Sequence, residues 1–516
     1  MNAATHIWRH AMTSPDSLAL REAQRSWTYA QLRDDIAETA YELTDRGVGR
    51  GDRVLIVVPT SAEFVHVYYA VLSLGATAVT VNTLSTSREL GYFIDDAGCT
   101  LAVGWSETAE PITSAAERNG IPVWVLAPGD ADPREPAAGV PDPAEVEPEH
   151  AAVLLYTSGT TGRPKGAVLT HHNLLVTGEM FTEALPLTGD DRMGTALPLF
   201  HVFGQAAVMA SIYNAGGSFS VLRPFHGARL LEMAANHRLT VLAGVPTMWN
   251  EMLHAETDLG VEDFADLRVA CSGGAAMPLQ VARAFRERFG ATVLDGYGLS
   301  ETTGAATFNE IDGARKEGSV GRGLPGVLIT ILDPERNPVA VGEVGEVAID
   351  GPCVMREYWQ RPDATAAVMH GPWFLTGDLG RMDADGHLWI VDRMKDLIIR
   401  GGYNVYPREV EEVLYTHSAI LEAAVVGLPD ERLGEEVAAI VVPRAGQDID
   451  LGELRTWLSE QLAAYKVPRV YQVVPALPKG ATGKILKREI SRDDLLRGGV
   501  RPPRSPVAAD ATITTS

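Results

Sequence analysis

The run Tyr156-Thr-Ser-Gly-Thr-Thr-Gly-Arg-Pro-Lys-Gly166 directly follows the apolar stretch Val153-Leu154-Leu155. Three glycines (Gly159, Gly162, Gly166) and four hydroxyl side chains (Thr157, Ser158, Thr160, Thr161) accompany Lys165. Such a segment ends a buried strand in a constrained loop. Small residues let the backbone close around a polyanion, N–H and O–H donors line the concavity, and lysine adds a point charge. More than three hundred residues later, Pro478-Lys-Gly-Ala-Thr-Gly-Lys484-Ile485 puts another lysine on a glycine-bearing loop. Together the two segments predict an enzyme that holds a triphosphate and brings a late cation to the reacting phosphorus. An ordinary P-loop is excluded. It needs Ser or Thr after its lysine to bind magnesium, whereas Lys165 stands between Pro164 and Gly166.

A chain of 516 residues is too long for one core and implies two or more domains. Its formal charge of −23 argues against nucleic acid as the main partner, because a duplex would be repelled. Three widely spaced cysteines (Cys99, Cys271, Cys353) form neither a disulfide framework nor a metal cluster, and a reducing cytoplasm fits them best. The start, Met-Asn-Ala-Ala-Thr-His-Ile-Trp, has no apolar signal core, and no run reaches membrane-spanning length.

Helix and strand signals alternate. Thr28 and Gln31 form a capping box for a helix that runs to Gly47. Strands at 54–58 and 77–81 then alternate with helices at 63–74 and 87–97, which predicts parallel sheets covered by helices. An exposed connector with six prolines, Pro128 to Pro148, is expected before the glycine-rich loop. Alternation resumes through strands at 241–244, 269–272 and 293–297. A β-rich stretch follows at 327–332 and 345–349. Beyond Asp392-Arg393-Met-Lys395 lies a compact α+β unit, and a Pro/Ala/Thr/Ser tail from Gly498 reads as disordered. The fold class is α/β: a large N-terminal domain of helix-covered sheets plus a β-rich subdomain (1–392), a hinge (393–396), a small mobile α+β domain (397–497) and a tail (498–516).

Further motifs carry chemistry. In Asp295-Gly-Tyr297-Gly298-Leu-Ser300-Glu301, glycines flank Tyr297, so its ring can lie on a flat ligand while the backbone comes close. Glu301 offers an oxygen for Mg²⁺, which binds through one or two carboxylates plus phosphate oxygens. Thr376-Gly-Asp378 sets a carboxylate beside glycine, suited to a ribose diol. His201 lies in Pro198-Leu-Phe-His-Val-Phe-Gly204 and reads equally as a packed core residue. Paired Gly401 and Gly402 let backbone approach a narrow ligand such as a pantetheine arm.

In these motifs and their order, from about residue 5 to 495, the chain resembles the adenylate-forming superfamily of acyl-CoA synthetases, aryl-CoA ligases, luciferases and peptide-synthetase adenylation domains. It is most similar to bacterial medium- or long-chain fatty acyl-CoA ligases in Leu197–Gln205 and Asp396–Tyr406. The resemblance implies ATP, Mg²⁺ and CoA, and an acyl-AMP intermediate. It implies catalytic roles for Lys484, Glu301, Lys165 and His201, with Glu301 on the metal. Nucleotide contacts would come from Thr157, Ser158, Gly159, Thr160, Thr161, Gly162, Gly273, Ala275, Asp295, Tyr297, Gly298, Ser300, Asp378 and Arg393. Lys395 would be the pivot, and Gly401 and Gly402 would face CoA after the small domain rotates. Ser300 stands where many relatives have Thr. The acid pocket is expected from Tyr213, Val245, Met248, residues 272–276, Ala305 and Ala306. A carboxylic acid is the expected partner, with an aryl acid as alternative substrate and a carrier-protein thiol or an amine as alternative acceptor. Monomer and homodimer both fit.

Overall fold

The computed structural model describes residues 1–131, 140–157, 163–311, 313, 315–480 and 483–502. Among the described residues four sheets organise the chain. In one, Ala151–Thr157, Thr77–Thr80, Arg53–Ile56, Leu101–Trp105 and Val123–Leu126 run parallel, and Lys165–Thr170 and Glu357–Tyr358 add antiparallel edges. A nine-stranded sheet has six parallel strands at its centre, including Val241–Gly244, Val269–Ser272 and Val293–Tyr297. Strands Val241–Gly244 and Val269–Ser272 are buried along their whole length, as cover on both faces of a parallel sheet demands.

Local signals explain most boundaries. The Thr28 hydroxyl accepts from the Gln31 backbone N–H, and the Gln31 side chain accepts from the Thr28 N–H, starting helix Tyr29–Asp45. Ser87–Ala97 opens with the same device and stops at Gly98, left-handed at φ 64°. The β-rich subdomain is an antiparallel sheet of Leu328–Leu332, Gly345–Asp350, Trp373–Met382, Met369–His370 and Leu388–Arg393. The last unit pairs Ile420–Asp430 with Gly434–Pro443 and carries its own core under helices Pro407–Tyr415 and Leu451–Gln461.

Two expectations change. The connector is not simply exposed: Val146 is buried, and its carbonyl accepts from the amino terminus. Order extends past Gly498, because Val500 and Tyr471 exchange both backbone hydrogen bonds, and Arg455 donates to the Pro502 carbonyl.

The small unit sits over the large one. A Cβ on Gly483 would stand 2.6 Å from the Thr247 hydroxyl oxygen and 3.4 Å from Val245, so Gly483 lies against the start of helix Pro246–His254. The Arg408 N–H donates to an Asp392 carboxylate oxygen at 3.0 Å.

Candidate active site

The glycine-rich loop joins two antiparallel strands, with Thr157 paired to Lys165. That topology separates it from strand–loop–helix phosphate loops. Ser158, Gly159, Thr160, Thr161 and Gly162 lie outside the described residues; the two ends of the loop are placed. Thr157 donates to Glu301 Oε1 at 3.2 Å, and Tyr358 donates to the same oxygen at 2.8 Å. The Lys165 ammonium lies 5.0 Å from the centre of the Tyr358 ring. Sequence reasoning missed Tyr358. Its short strand pairs with the one that Lys165 opens, but in sequence Glu357-Tyr-Trp359 cannot be told from a core fragment.

Glu301 opens a single turn with Ser300 at the end of the loop that follows Val293–Tyr297. Glycine is required nearby: a Cβ on Gly298 would come within 2.5 Å of the Ala305 backbone. The Tyr297 hydroxyl donates to Asp378 Oδ2 at 2.6 Å, and Arg393 Nε stands 3.4 Å from Asp378 Oδ1. Register brings Asp378 and Arg393 together, since they are paired partners on adjacent strands. Burial raises the Asp378 pKa, against the pull of Arg393 and the Tyr297 hydroxyl. Asp295, on the same strand as Tyr297, has one buried oxygen without a hydrogen bond, while the other accepts from Met277 N–H at 3.4 Å. Burial lifts its carboxyl to about 7, opposed by Arg408 and backbone N–H groups.

Lys484 reaches this group from the small domain. Its pKa is lowered from 10.5 to about 8, by burial first and then by the charge of Arg393, while Asp378 and Asp396 oppose the shift. His201 is lowered to about 4, by burial and then by Lys484. Its Nδ1 accepts from the Phe203 N–H at 3.2 Å, which leaves the proton of the neutral ring on Nε2. His201 is therefore a neutral donor beside Lys484. Phe203 begins a π-helical segment, Phe203–Ala210, of a kind often found at functional sites. A Cβ on Gly273 would meet the Phe203 ring at 3.4 Å, and one on Gly274 would meet Val245 at 3.6 Å.

One pocket expectation fails. Tyr213 belongs to an aromatic cluster with Tyr29, Tyr69 and Phe219 and fills the core. Ala275 lies on the turn between Val269–Ser272 and helix Leu279–Phe289. Gly401 and Gly402, at φ 58° and 85°, form the exposed tip of the hairpin Ile398–Arg400/Tyr403–Val405. Lys395 sits in the exposed turn Met394–Asp396 before it. Cys99, Cys271 and Cys353 are free and buried, with thiols pushed up to about 12, so they supply no nucleophile.

Glu301 fits a magnesium ion. Two hydroxyls fix Oε1, and Oε2 has no hydrogen-bond partner among the described residues. One carboxylate beside a phosphate loop matches how magnesium binds nucleotides.

Residues 7–359 match the model of the AMP-binding enzyme family, and residues 409–484 match the AMP-binding enzyme C-terminal domain. The chain is 35% identical to a long-chain-fatty-acid–CoA ligase of Bacillus subtilis (strain 168), covering 93% of this chain and 92% of that protein. It is 36% identical to a feruloyl-CoA synthase of Amycolatopsis sp, covering 94% and 97%. The crystal structure of ATP-bound MatB from Rhodopseudomonas palustris superimposes with a TM-score of 0.88 at 34% identity, covering 96% and 99%. The fold and site thus define an AMP-forming acid–thiol ligase. The chain belongs to the AMP-binding enzyme family.

Proposed function

We propose that this enzyme joins a carboxylic acid to AMP, releasing pyrophosphate, and then passes the acyl group to the thiol of CoA. The observation that carries the reading is Lys484, a cation from a separate domain, set beside His201, Asp378 and Arg393. In the first step an acid oxygen attacks the α-phosphorus in line, and the bond to the pyrophosphate oxygen breaks. Such transfers depend on placement and charge stabilisation rather than covalent help. Lys165 holds the departing phosphates, and Lys484 bridges the acid and the α-phosphate as negative charge accumulates. Asp378 takes the ribose hydroxyls, and the ring of Tyr297 lies along the adenine. Glu301 would hold magnesium, which would supply positive charge to the phosphates. In the second step the thiol sulfur attacks the acyl carbon and AMP leaves.

A carboxylic acid with an apolar body suits the surroundings of His201, where the neighbouring Phe203 ring faces Gly273 and Val245 faces Gly274. A medium- or long-chain fatty acid is our first reading, in line with the Bacillus subtilis relative. An aromatic acid is the second, favoured by the Phe203 ring facing Gly273 and by the feruloyl-CoA synthase relative. The test is ATP–pyrophosphate exchange over a panel of fatty, aromatic and dicarboxylic acids, followed by product analysis with and without CoA. Exchange only with aromatic acids overturns the first reading. Turnover without CoA overturns the acceptor, and conversion of ATP solely to ADP overturns the reaction.

A further inference from the structure

Lys165 and Glu301 face the same end of the pocket with opposite charge, yet they form no ion pair in this structure. Such a pair would neutralise the groups that our reading assigns to phosphate and to metal. One residue stands between them. Tyr358 offers its ring face to the Lys165 ammonium at 5.0 Å and its hydroxyl to Glu301 Oε1 at 2.8 Å. We propose that Tyr358 is a positioning residue that keeps the phosphate-binding lysine and the metal-binding carboxylate apart, so that both meet the nucleotide fully charged.

The chemistry suits both contacts. An aromatic face attracts an ammonium through its quadrupole without competing for the N–H donors that a phosphate needs. A hydroxyl donor fixes one carboxylate oxygen and leaves the other for a cation, whereas a lysine would claim both charge and geometry. Its placement is rigid. The strand Glu357–Tyr358 pairs with the strand of Lys165, the Trp359 N–H donates to the Gly166 carbonyl at 2.7 Å, and the Met355 N–H donates to the Glu301 carbonyl at 2.8 Å. One short segment is thus bonded to the backbone of both sites it separates. Thr157, the second donor to Oε1, reaches the carboxylate with its side chain and meets Lys165 only as a backbone partner on the neighbouring strand.

The inference rests on the metal role of Glu301 in our proposed function, and two variants divide its halves. Tyr358→Phe keeps the ring under Lys165 and removes the hydroxyl. Tyr358→Leu removes both and lets the opposite charges close on each other. ATP binding to the full-length enzyme is measured by calorimetry, with EDTA and across a magnesium titration, while thermal melting monitors folding. For Tyr358→Phe we expect the half-saturating magnesium concentration to rise roughly tenfold, as loss of a hydrogen bond to a charged group implies. ATP affinity in EDTA stays unchanged. For Tyr358→Leu, ATP affinity in EDTA also falls roughly tenfold, and Glu301→Gln in that background restores it by freeing Lys165. A wild-type magnesium titration in Tyr358→Phe overturns the proposal, as does a Tyr358→Leu defect that Glu301→Gln leaves in place. Glu301→Gln alone separates the two levels. If it abolishes magnesium dependence while Tyr358→Phe does nothing, only the spacer is wrong. If it leaves magnesium dependence intact, the metal assignment falls and the spacer with it.

Discussion

The state of Lys484 sets a measurable limit on the first half-reaction. Its ammonium is held near burial, Arg393 and Lys395, and its pKa falls from 10.5 to about 8. Only the charged form can bridge the acid and the α-phosphate. With a pKa of about 8, the charged fraction is about 0.76 at pH 7.5 and about 0.09 at pH 9. An ordinary lysine would still be about 0.97 charged at pH 9. The value of kcat/KM for pyrophosphate exchange, which reports the free enzyme, therefore falls about eightfold between those pH values. Arg393→Ala moves this limb upward, because its cation is the largest cause of the depression after burial. Lys484→Arg removes the limb, since guanidinium stays charged. Thiol transfer from supplied acyl-adenylate runs the other way, as a thiol of pKa about 8.5 ionises over the same range. Unfolding is not the cause. The folded-state pKa lies below the unfolded one, so the native chain binds fewer protons between pH 8 and 10.5, and this group's burden on stability is relieved as pH rises. A flat exchange profile to pH 9.5, or an unchanged limb in Lys484→Arg, refutes the reasoning.

Asp378→Asn should weaken ATP binding by roughly 1.5–3 kcal/mol, since charged hydrogen bonds to the ribose are lost; calorimetry checks this, and an unchanged Kd rejects the ribose role. Gly298→Ala should lower unfolding stability by about 1–3 kcal/mol, because the new Cβ would stand 2.5 Å from the Ala305 backbone; urea denaturation gives the answer. Lys395→Pro should slow thiol transfer more than adenylation, because proline stiffens the turn where the small domain would pivot; equal loss in both half-reactions contradicts the pivot. His171 is fully buried, its Nδ1 accepts from the Ala3 N–H, and burial lowers its pKa from 6.5 to about 3. The native chain then binds fewer protons than the unfolded one between those values, so stability is lost as pH falls from 6.5 toward 3, by about 2 kcal/mol at pH 5. Chemical denaturation of His171→Gln should show a shallower acid slope.

Much was legible because it depends on neighbours in sequence. The Thr28–Gln31 capping box, the helix Ser87–Ala97 and the strands Val241–Gly244, Val269–Ser272 and Val293–Tyr297 all lie where patterning puts them. Hydrophobic period, caps and left-handed glycines act within a few residues, so they survive the loss of tertiary context. Glycine beside a charged or hydroxyl residue marks an ordinary turn more often than a ligand approach, so the candidate motifs drew their weight from their order along the chain.

What sequence order alone determined is the inventory: an α/β chain, a glycine-rich segment that is not a P-loop motif, and Asp378, Arg393 and Lys484 as separate chemical parts. Tertiary structure decided how they meet. Strand register paired Asp378 with Arg393, while Tyr213 went into the core instead of the acid pocket. Docking of the small domain carried Lys484 to within electrostatic reach of His201, and a two-residue strand slid Tyr358 between Lys165 and Glu301. Charge and hydrogen-bond interactions fall off over a few ångströms. Residues 57 positions apart, such as Glu301 and Tyr358, act on each other only after the backbone has brought them together.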